Sequence, residues 1–353
     1  MTSEKSALNA TLDAVSHQFI ETNGLRMHIA EQGTGPLVLL CHGFPELWNA
    51  WRYQFSALSE AGYRVVAPDL RGYGQTDQPD NVEVYTLLHL VGDLIGVLDV
   101  LGEQRAILVG HDWGAALAWH AALLRPDRFP VLICMSVPYI PRGPLHGARA
   151  TLPPTQAWKQ AWGDQCFYQS YFQRPGVAEA EVERDVRTTM RRLLYGLSGD
   201  APSSERWHPI LPDPQVGALN SAGNPTTLPS WLTEADIDMY TAEFGRTGFR
   251  GGLNWYRNID RNWELLAPYS GASVTQPTLF LWGDRDPTFE VAGMSKWVER
   301  MPQFVPNLHQ TSFQGCGHWI QQERAPEVNA AILAYLQQEG LYPSSSGRQM
   351  YWL

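Results

Sequence analysis

Two rhythms of apolar residues alternate along the first part of the chain. The runs "PLVLLCHG" (36–43), "YRVVAPD" (63–69), "RAILVGHD" (105–112) and "PVLICMSVP" (130–138) are continuous and strand-sized. Such runs predict parallel strands buried on both faces. Between them, "LLHLVGDLIGVLDVLG" (87–102) repeats Leu and Val at three- and four-residue steps, which predicts a helix with one apolar face. At the start, "HQFIETNG" and "LRMHIAEQG" meet at Asn23-Gly24, the signal of a tight antiparallel hairpin. Strands alternating with helices predict an α/β fold, a mostly parallel sheet flanked by helices.

The rhythm breaks after "VPYIP" (137–141). From 141 to about 266 the chain carries many prolines, glycines and tryptophans, helical fragments and no convincing buried strand. Within it, "SAGNPTTLPSW" (221–231) reads as a loop, and Thr233 as the N-cap of a helix carrying Ile237, Tyr240 and Phe244. Strands return with "QPTLFLWGDRDP" (276–287) and "NLHQTSFQGCGH" (307–318), followed by a closing helix, "APEVNAAILAYLQQEG". The expected organisation is one α/β core, 1–140 and 267–353, interrupted by a helical cap at 141–266. No internal repeat is visible, and "SSSGRQMYWL" reads as a frayed tail.

Composition narrows the partners. A chain of 353 residues can bury one large core plus an insertion. With 26 Lys and Arg against 36 Asp and Glu, the net charge of −10 argues against nucleic acid or an anionic membrane. The one basic cluster, "ERDVRTTMRR" (183–192), is interleaved with Glu181, Glu183 and Asp185 and reads as a solvated helix face. Cys41, Cys134, Cys166 and Cys316 form no CxxC, which points to a reduced, cytoplasmic protein. No apolar run approaches 18 residues, and no HExxH or clustered Cys/His set suggests a metal, so no membrane span, metal or cofactor is expected. The oligomeric state is left open, a homodimer included.

The chemistry centres on "ILVGHDWGAALAWH" (107–120), where a strand turns into a helix with Gly110 and Gly114 two residues either side of Asp112. That frame commonly presents a nucleophile at a strained turn. The plainer reading is that Asp112 only caps the helix. A carboxylate that attacks carbon forms an ester, and the ester must then be hydrolysed at its own carbonyl. That requires a base, an acid to orient it and donors for the oxyanion. His318 in "GCGHW" supplies the base and Asp286 in "WGDRDP" the acid, with Asp284 a close rival that reads better as a turn residue. The order nucleophile, acid, histidine is that of the α/β hydrolases. Backbone N–H groups of Trp113 and Phe44 are the expected oxyanion donors, and His42 reads as loop support.

At this point the sequence resembles a family. "HGFPELWNAW" (42–51), "DLRGYGQTDQP" (69–79), "GHDWG" (110–114) and "GCGHW" (315–319) resemble the soluble epoxide hydrolases of the α/β-hydrolase superfamily. The segments "YQSYFQRPGVAEAEVE" (168–183) and "GFRGGLNWYRNIDRNW" (248–263) are similar to their lid, and the resemblance runs from about residue 17 to 336. It implies an α/β-hydrolase fold with an inserted lid, a small apolar epoxide and water as substrates, and two lid tyrosines that donate to the epoxide oxygen. By motif these fall on Tyr168 and Tyr256, with Tyr171 and Tyr240 as competing assignments. A phenol stays protonated at neutral pH, so it can serve an alkoxide leaving group. Phe44, Trp113, Trp255 and Trp282 are candidates for the substrate wall, each equally readable as core.

Two rivals share these residues. A haloalkane or haloacid dehalogenase would use the same Asp–His–Asp set, but a halide needs no phenol, and Phe44 has no side-chain donor to hold one. A catalytically silent ligand-binding protein on the same fold would leave the set superfluous. A serine esterase is excluded because no G-x-S-x-G occurs in the chain.

Overall fold

The computed structural model describes residues 14–142, 152–163, 166–211, 217–219, 221–291 and 294–341. The frayed-tail expectation for 344–353 lies outside them. Eight strands form one sheet: β1 (Ser16–Thr22), β2 (Leu25–Gln32), β3 (Leu37–Cys41), β4 (Arg64–Pro68), β5 (Ile107–His111), β6 (Val131–Met135), β9 (Thr278–Gly283) and β10 (Leu308–Phe313). Their spatial order is β1-β2-β4-β3-β5-β6-β9-β10. From β4 to β10 every pairing is parallel, whereas β1 and β2 are antiparallel. The β1–β2 hairpin turns through Asn23 and Gly24, both at positive φ, which is the conformation that selects Asn-Gly there.

The central strands are buried on both faces because successive side chains point to opposite sides. Leu37, Leu39 and Cys41 of β3 join one core, while Val38 and Leu40 join the other. Leu90, Val91, Leu94, Val97 and Leu98 of the helix Leu87–Leu101 cover the first face. Phe55 and Leu58 of Arg52–Glu60, with Val328, Ile332 and Leu336 of Ala325–Gln338, cover the second. Cys41, Cys134 and Cys316 are buried free thiols, two of them within strands.

Between β6 and β9 the described residues form seven α-helices: Pro154–Trp162, Tyr168–Tyr171, Val177–Val182, Val186–Gly196, Glu234–Thr247, Arg250–Arg257 and Ile259–Leu265. Thr233 caps Glu234–Thr247 in a reciprocal box with Asp236, and Ile237, Tyr240 and Phe244 face inward. One ladder does occur in this stretch, β7 (Cys166–Phe167) against β8 (Ile210–Leu211). Two residues per strand are too few to leave an alternating signal in the sequence.

The arginines of the basic cluster from Arg187 on lie on the helix Val186–Gly196, and two of them pair with acids of another helix. Arg187 and Arg191 pair with Glu234, and Arg187 also with Asp238, on the neighbouring helix. Glu181 instead accepts from the Ala218 and Leu219 N–H groups, and Glu183 from that of Phe249. Backbone donors in loops compete for these carboxylates, and helix spacing does not reveal them.

Candidate active site

Asp112 sits between β5 and the helix Trp113–Leu124 with φ 52° and ψ −118°. A non-glycine residue there is strained, and tight packing holds it in place. A Cβ on Gly110 would lie 2.2 Å from the Gly114 carbonyl oxygen, and one on Gly114 would lie 2.0 Å from that of Cys41. Side chains at either position would prevent β3, β5 and the helix from closing around the turn. Asp112 makes no side-chain cap of its helix. Its Oδ1 instead accepts from the Phe44 N–H at 2.8 Å, so the carboxylate is held across the turn by the loop after β3.

The loop after β10 brings His318 to the other oxygen. His318 Nε2 stands 3.6 Å from Asp112 Oδ2, an ion-pair contact longer than a hydrogen bond. On its far side, His318 Nδ1 meets Asp286 Oδ2 at 2.8 Å. Asp286 is buried and receives both the N–H and the hydroxyl of Thr288 on Oδ1, at 2.8 and 2.7 Å. Asp284 is exposed and accepts from the Gly315 N–H, so of the two aspartates only Asp286 reaches the histidine.

Burial alone would raise the Asp112 carboxyl, but the neighbouring His318, the charge of His111 and the Phe44 N–H hold it below the ordinary value. Burial opposes protonation of His318, yet Asp286 and Asp112 together raise it well above the ordinary imidazole value. The two groups thus shift in opposite directions, each toward its charged form.

Tyr168 and Tyr256 line the same cavity as Asp112 and His318. Their ring centroids are 6.0 Å apart at 74°. Burial, and then the charge of Asp112, raises both phenols above the ordinary value, so both keep their protons. Tyr171 points elsewhere, with its hydroxyl donating to Glu181. Tyr240 is fully buried beside Arg52 and does not line the cavity.

The family model described as alpha/beta hydrolase fold matches residues 36–325. The chain is 42% identical to epoxide hydrolase A of Mycobacterium tuberculosis, covering 92% of this chain and 98% of that one. It is 45% identical to epoxide hydrolase 3 of Siraitia grosvenorii, covering 91% and 98%. The crystal structure of epoxide hydrolase A from Mycobacterium thermoresistibile is similar at a TM-score of 0.84 and 45% identity, over 92% and 98% of the two chains. The chain belongs to the epoxide hydrolases of the alpha/beta hydrolase fold.

In this member of the epoxide hydrolase family the cavity wall differs from the sequence expectation. Phe44 does line it, but the rest of the wall comes from Phe172, Val182, Leu193, Leu197, Trp207 and Leu219. The Trp113 ring stands behind Tyr256, 5.0 Å away and perpendicular to it. Trp255 is buried against Trp113 and Tyr73 with its N–H on the Arg71 carbonyl, so it is core. Trp282 stacks on Phe280 and is likewise absent from the cavity wall. In strand β9 it shares a face with Phe280. His42 donates to the Gly43 carbonyl and accepts from the Leu70 N–H, which fits loop support.

Sequence reasoning missed a buried pair beneath the nucleophile. His111 Nδ1 meets Glu46 Oε2 at 2.7 Å, and its Nε2 meets the His318 carbonyl at 2.8 Å. The ring thus bridges the Glu46 carboxylate and the backbone of the base. Glu46 accepts further from Gln321 and Gln322. Burial would raise Glu46, but His111 holds it below the ordinary value. Glu46 follows the HGFP motif by one residue and His111 precedes Asp112, and nothing in their spacing links them.

Among the described residues no helix is long and apolar enough to cross a membrane, and no group of three or more His, Cys, Asp or Glu is placed to hold a metal ion.

Proposed function

We propose that this chain hydrolyses an apolar epoxide to a vicinal diol through a covalent ester on Asp112. The observation that carries the reading is one cavity lined at once by a carboxylate, a histidine and two phenols, with walls that are apolar apart from Thr288. Residues 141–266 act as the cap over a core made of 1–140 and 267–353. Three buried free thiols fit a reducing, cytoplasmic setting.

Asp112 Oδ2 attacks one ring carbon, and the C–O bond breaks toward the ring oxygen. Tyr168 and Tyr256 donate to that oxygen, and a phenolic proton passes to the alkoxide, which is much the stronger base. Esterification neutralises Asp112 and removes one of the two charges that kept His318 protonated. The imidazole then gives up its proton, which restores the tyrosinate to the phenol, and becomes a base at the stage where one is needed, with Asp286 fixing its tautomer. His318 takes a proton from water, and hydroxide adds to the ester carbonyl. The carbonyl oxygen is Oδ1, already on the Phe44 N–H, and the Trp113 N–H is the second donor. The tetrahedral intermediate collapses as the His318 imidazolium protonates the departing alkoxide, which releases the diol. The Asp112 carboxylic acid then returns its proton to His318 to restore the carboxylate.

A single turnover in heavy-oxygen water tests the ester route. The first diol should carry an oxygen from Asp112, with label appearing only in later turnovers. Immediate label in the product refutes the route, and chloride release from 1-chloroalkanes without diol formation would favour the dehalogenase reading.

A further inference from the structure

A carboxylate that this mechanism does not use sits directly under the base. Glu323 ends the short helix Ile320–Glu323 and is 8% exposed. Its Oε2 accepts from the Gly317 N–H at 2.8 Å and its Oε1 from the Trp319 N–H at 3.1 Å, so the residues on both sides of His318 are tied to it. Oε2 also accepts at 3.0 Å from the Gly199 N–H, in the turn after the helix Val186–Gly196. The same turn takes the remaining donor of the loop, since the His318 N–H bonds to the Leu197 carbonyl at 2.9 Å. Trp319 Nε1 bonds to the Leu194 carbonyl. Carbonyls that the end of a helix leaves unpaired are thus satisfied by the histidine loop.

Glycines bring the two backbones this close. A Cβ on Gly317 would lie 2.2 Å from the Gly199 nitrogen, and one on Gly199 would lie 2.4 Å from the Gly315 carbonyl oxygen. All three backbone contacts of Glu323 are donors, which a carboxylate satisfies and an amide cannot.

We propose that Glu323 is a positioning residue for His318, clamping the loop that carries the base to the turn at 197–199. The inference rests on the proposed function, because only the ester-hydrolysis half-reaction needs His318 as a base. Leu193 and Leu197 of the clamped segment also line the cavity, so the clamp sets the base in register with the wall that holds the ester. Nucleophilic attack depends on Asp112 and the tyrosines, which lie on other segments, and does not need the clamp.

The test follows full-length wild type, Glu323→Gln and Gly199→Ala after rapid mixing with styrene oxide. Intact-protein mass reports the covalent adduct, chromatography the diol, and thermal melting the fold. Glu323→Gln puts an amide N–H against a backbone N–H, and Gly199→Ala drives the two backbones apart from the other side. In both variants the adduct should form within about twofold of the wild-type rate and decay at least roughly tenfold more slowly, part of the roughly 10²–10⁴-fold that a general base contributes. Adduct decay at the wild-type rate in both variants overturns the assignment. A parallel fall of formation and decay does so too, since it would mark a merely structural role. If the wild type itself forms no adduct, the proposed function fails and the assignment falls with it.

Discussion

Replacing Asp286 by Asn should separate the two half-reactions. Asp286 Oδ1 receives two donors from Thr288, so in the variant the amide oxygen is held toward Thr288. The amide nitrogen then faces His318 Nδ1, which must accept and leaves the proton on Nε2. That tautomer cannot take a proton from water. Charge is lost as well. At the 2.8 Å separation of the pair and an effective dielectric constant of 20, the Coulomb energy is about 6 kcal/mol, an upper bound on what Asp286 contributes to a forming imidazolium. If about half or more of this is realised, the 3–5 kcal/mol lost corresponds to roughly 10²–10⁴-fold in hydrolysis, at about 1.36 kcal/mol per decade. Attack on the epoxide needs neither the tautomer nor the base, so the ester should form and accumulate. Rapid-quench mass spectrometry with diol quantification reads both steps. Hydrolysis within a few-fold of wild type, or loss of ester formation in step with hydrolysis, would refute the argument.

Tyr168→Phe and Tyr256→Phe should each slow adduct formation by roughly 10²-fold or less and leave adduct decay near wild type, because the phenols act only on the ring oxygen. The double variant should be close to inactive; slowed decay in the single variants would count against this assignment. Gly43→Ala would set a Cβ 2.4 Å from Asp112 Oδ1 and cost about 1–3 kcal/mol of stability, with adduct formation lost because the carboxylate is pushed off the Phe44 N–H. Calorimetry and single-turnover kinetics check the two effects. Glu46→Gln leaves the His111 charge without its partner and should cost about 3–5 kcal/mol, read in denaturant melts. Because folding lowers the protonation equilibrium of Glu46, its contribution is present above the ordinary carboxylate range and is lost as pH falls through the folded value. The variant's stability should therefore fall less steeply on acidification, and an unchanged acid limb would contradict this.

Much of the molecule was legible in the chain. Continuous apolar runs announced the parallel strands because burial on both faces leaves no polar positions to alternate with. The nucleophile turn was legible because glycine is forced two residues either side of Asp112, and local backbone crowding of that kind leaves a local mark. Asp286 and His318 followed from their places after strand ends, and Tyr168 and Tyr256 from lid motifs. The cavity wall was not legible. An aromatic residue looks the same in sequence whether its ring faces a pocket, as Trp207 does, or stacks on a residue of its own strand, as Trp282 does.

The amino-acid sequence by itself thus determined which runs are buried on both faces, the strained turn and the candidates for nucleophile, base and acid. The tertiary structure alone decided the partners of buried polar groups: Glu46 with His111, Thr288 with Asp286, and Glu323 with the backbone around His318. The physical reason is range. Backbone geometry and periodic burial are imposed by near neighbours, whereas a buried carboxylate takes whichever donors the folded chain brings to it, here from segments up to 276 residues away.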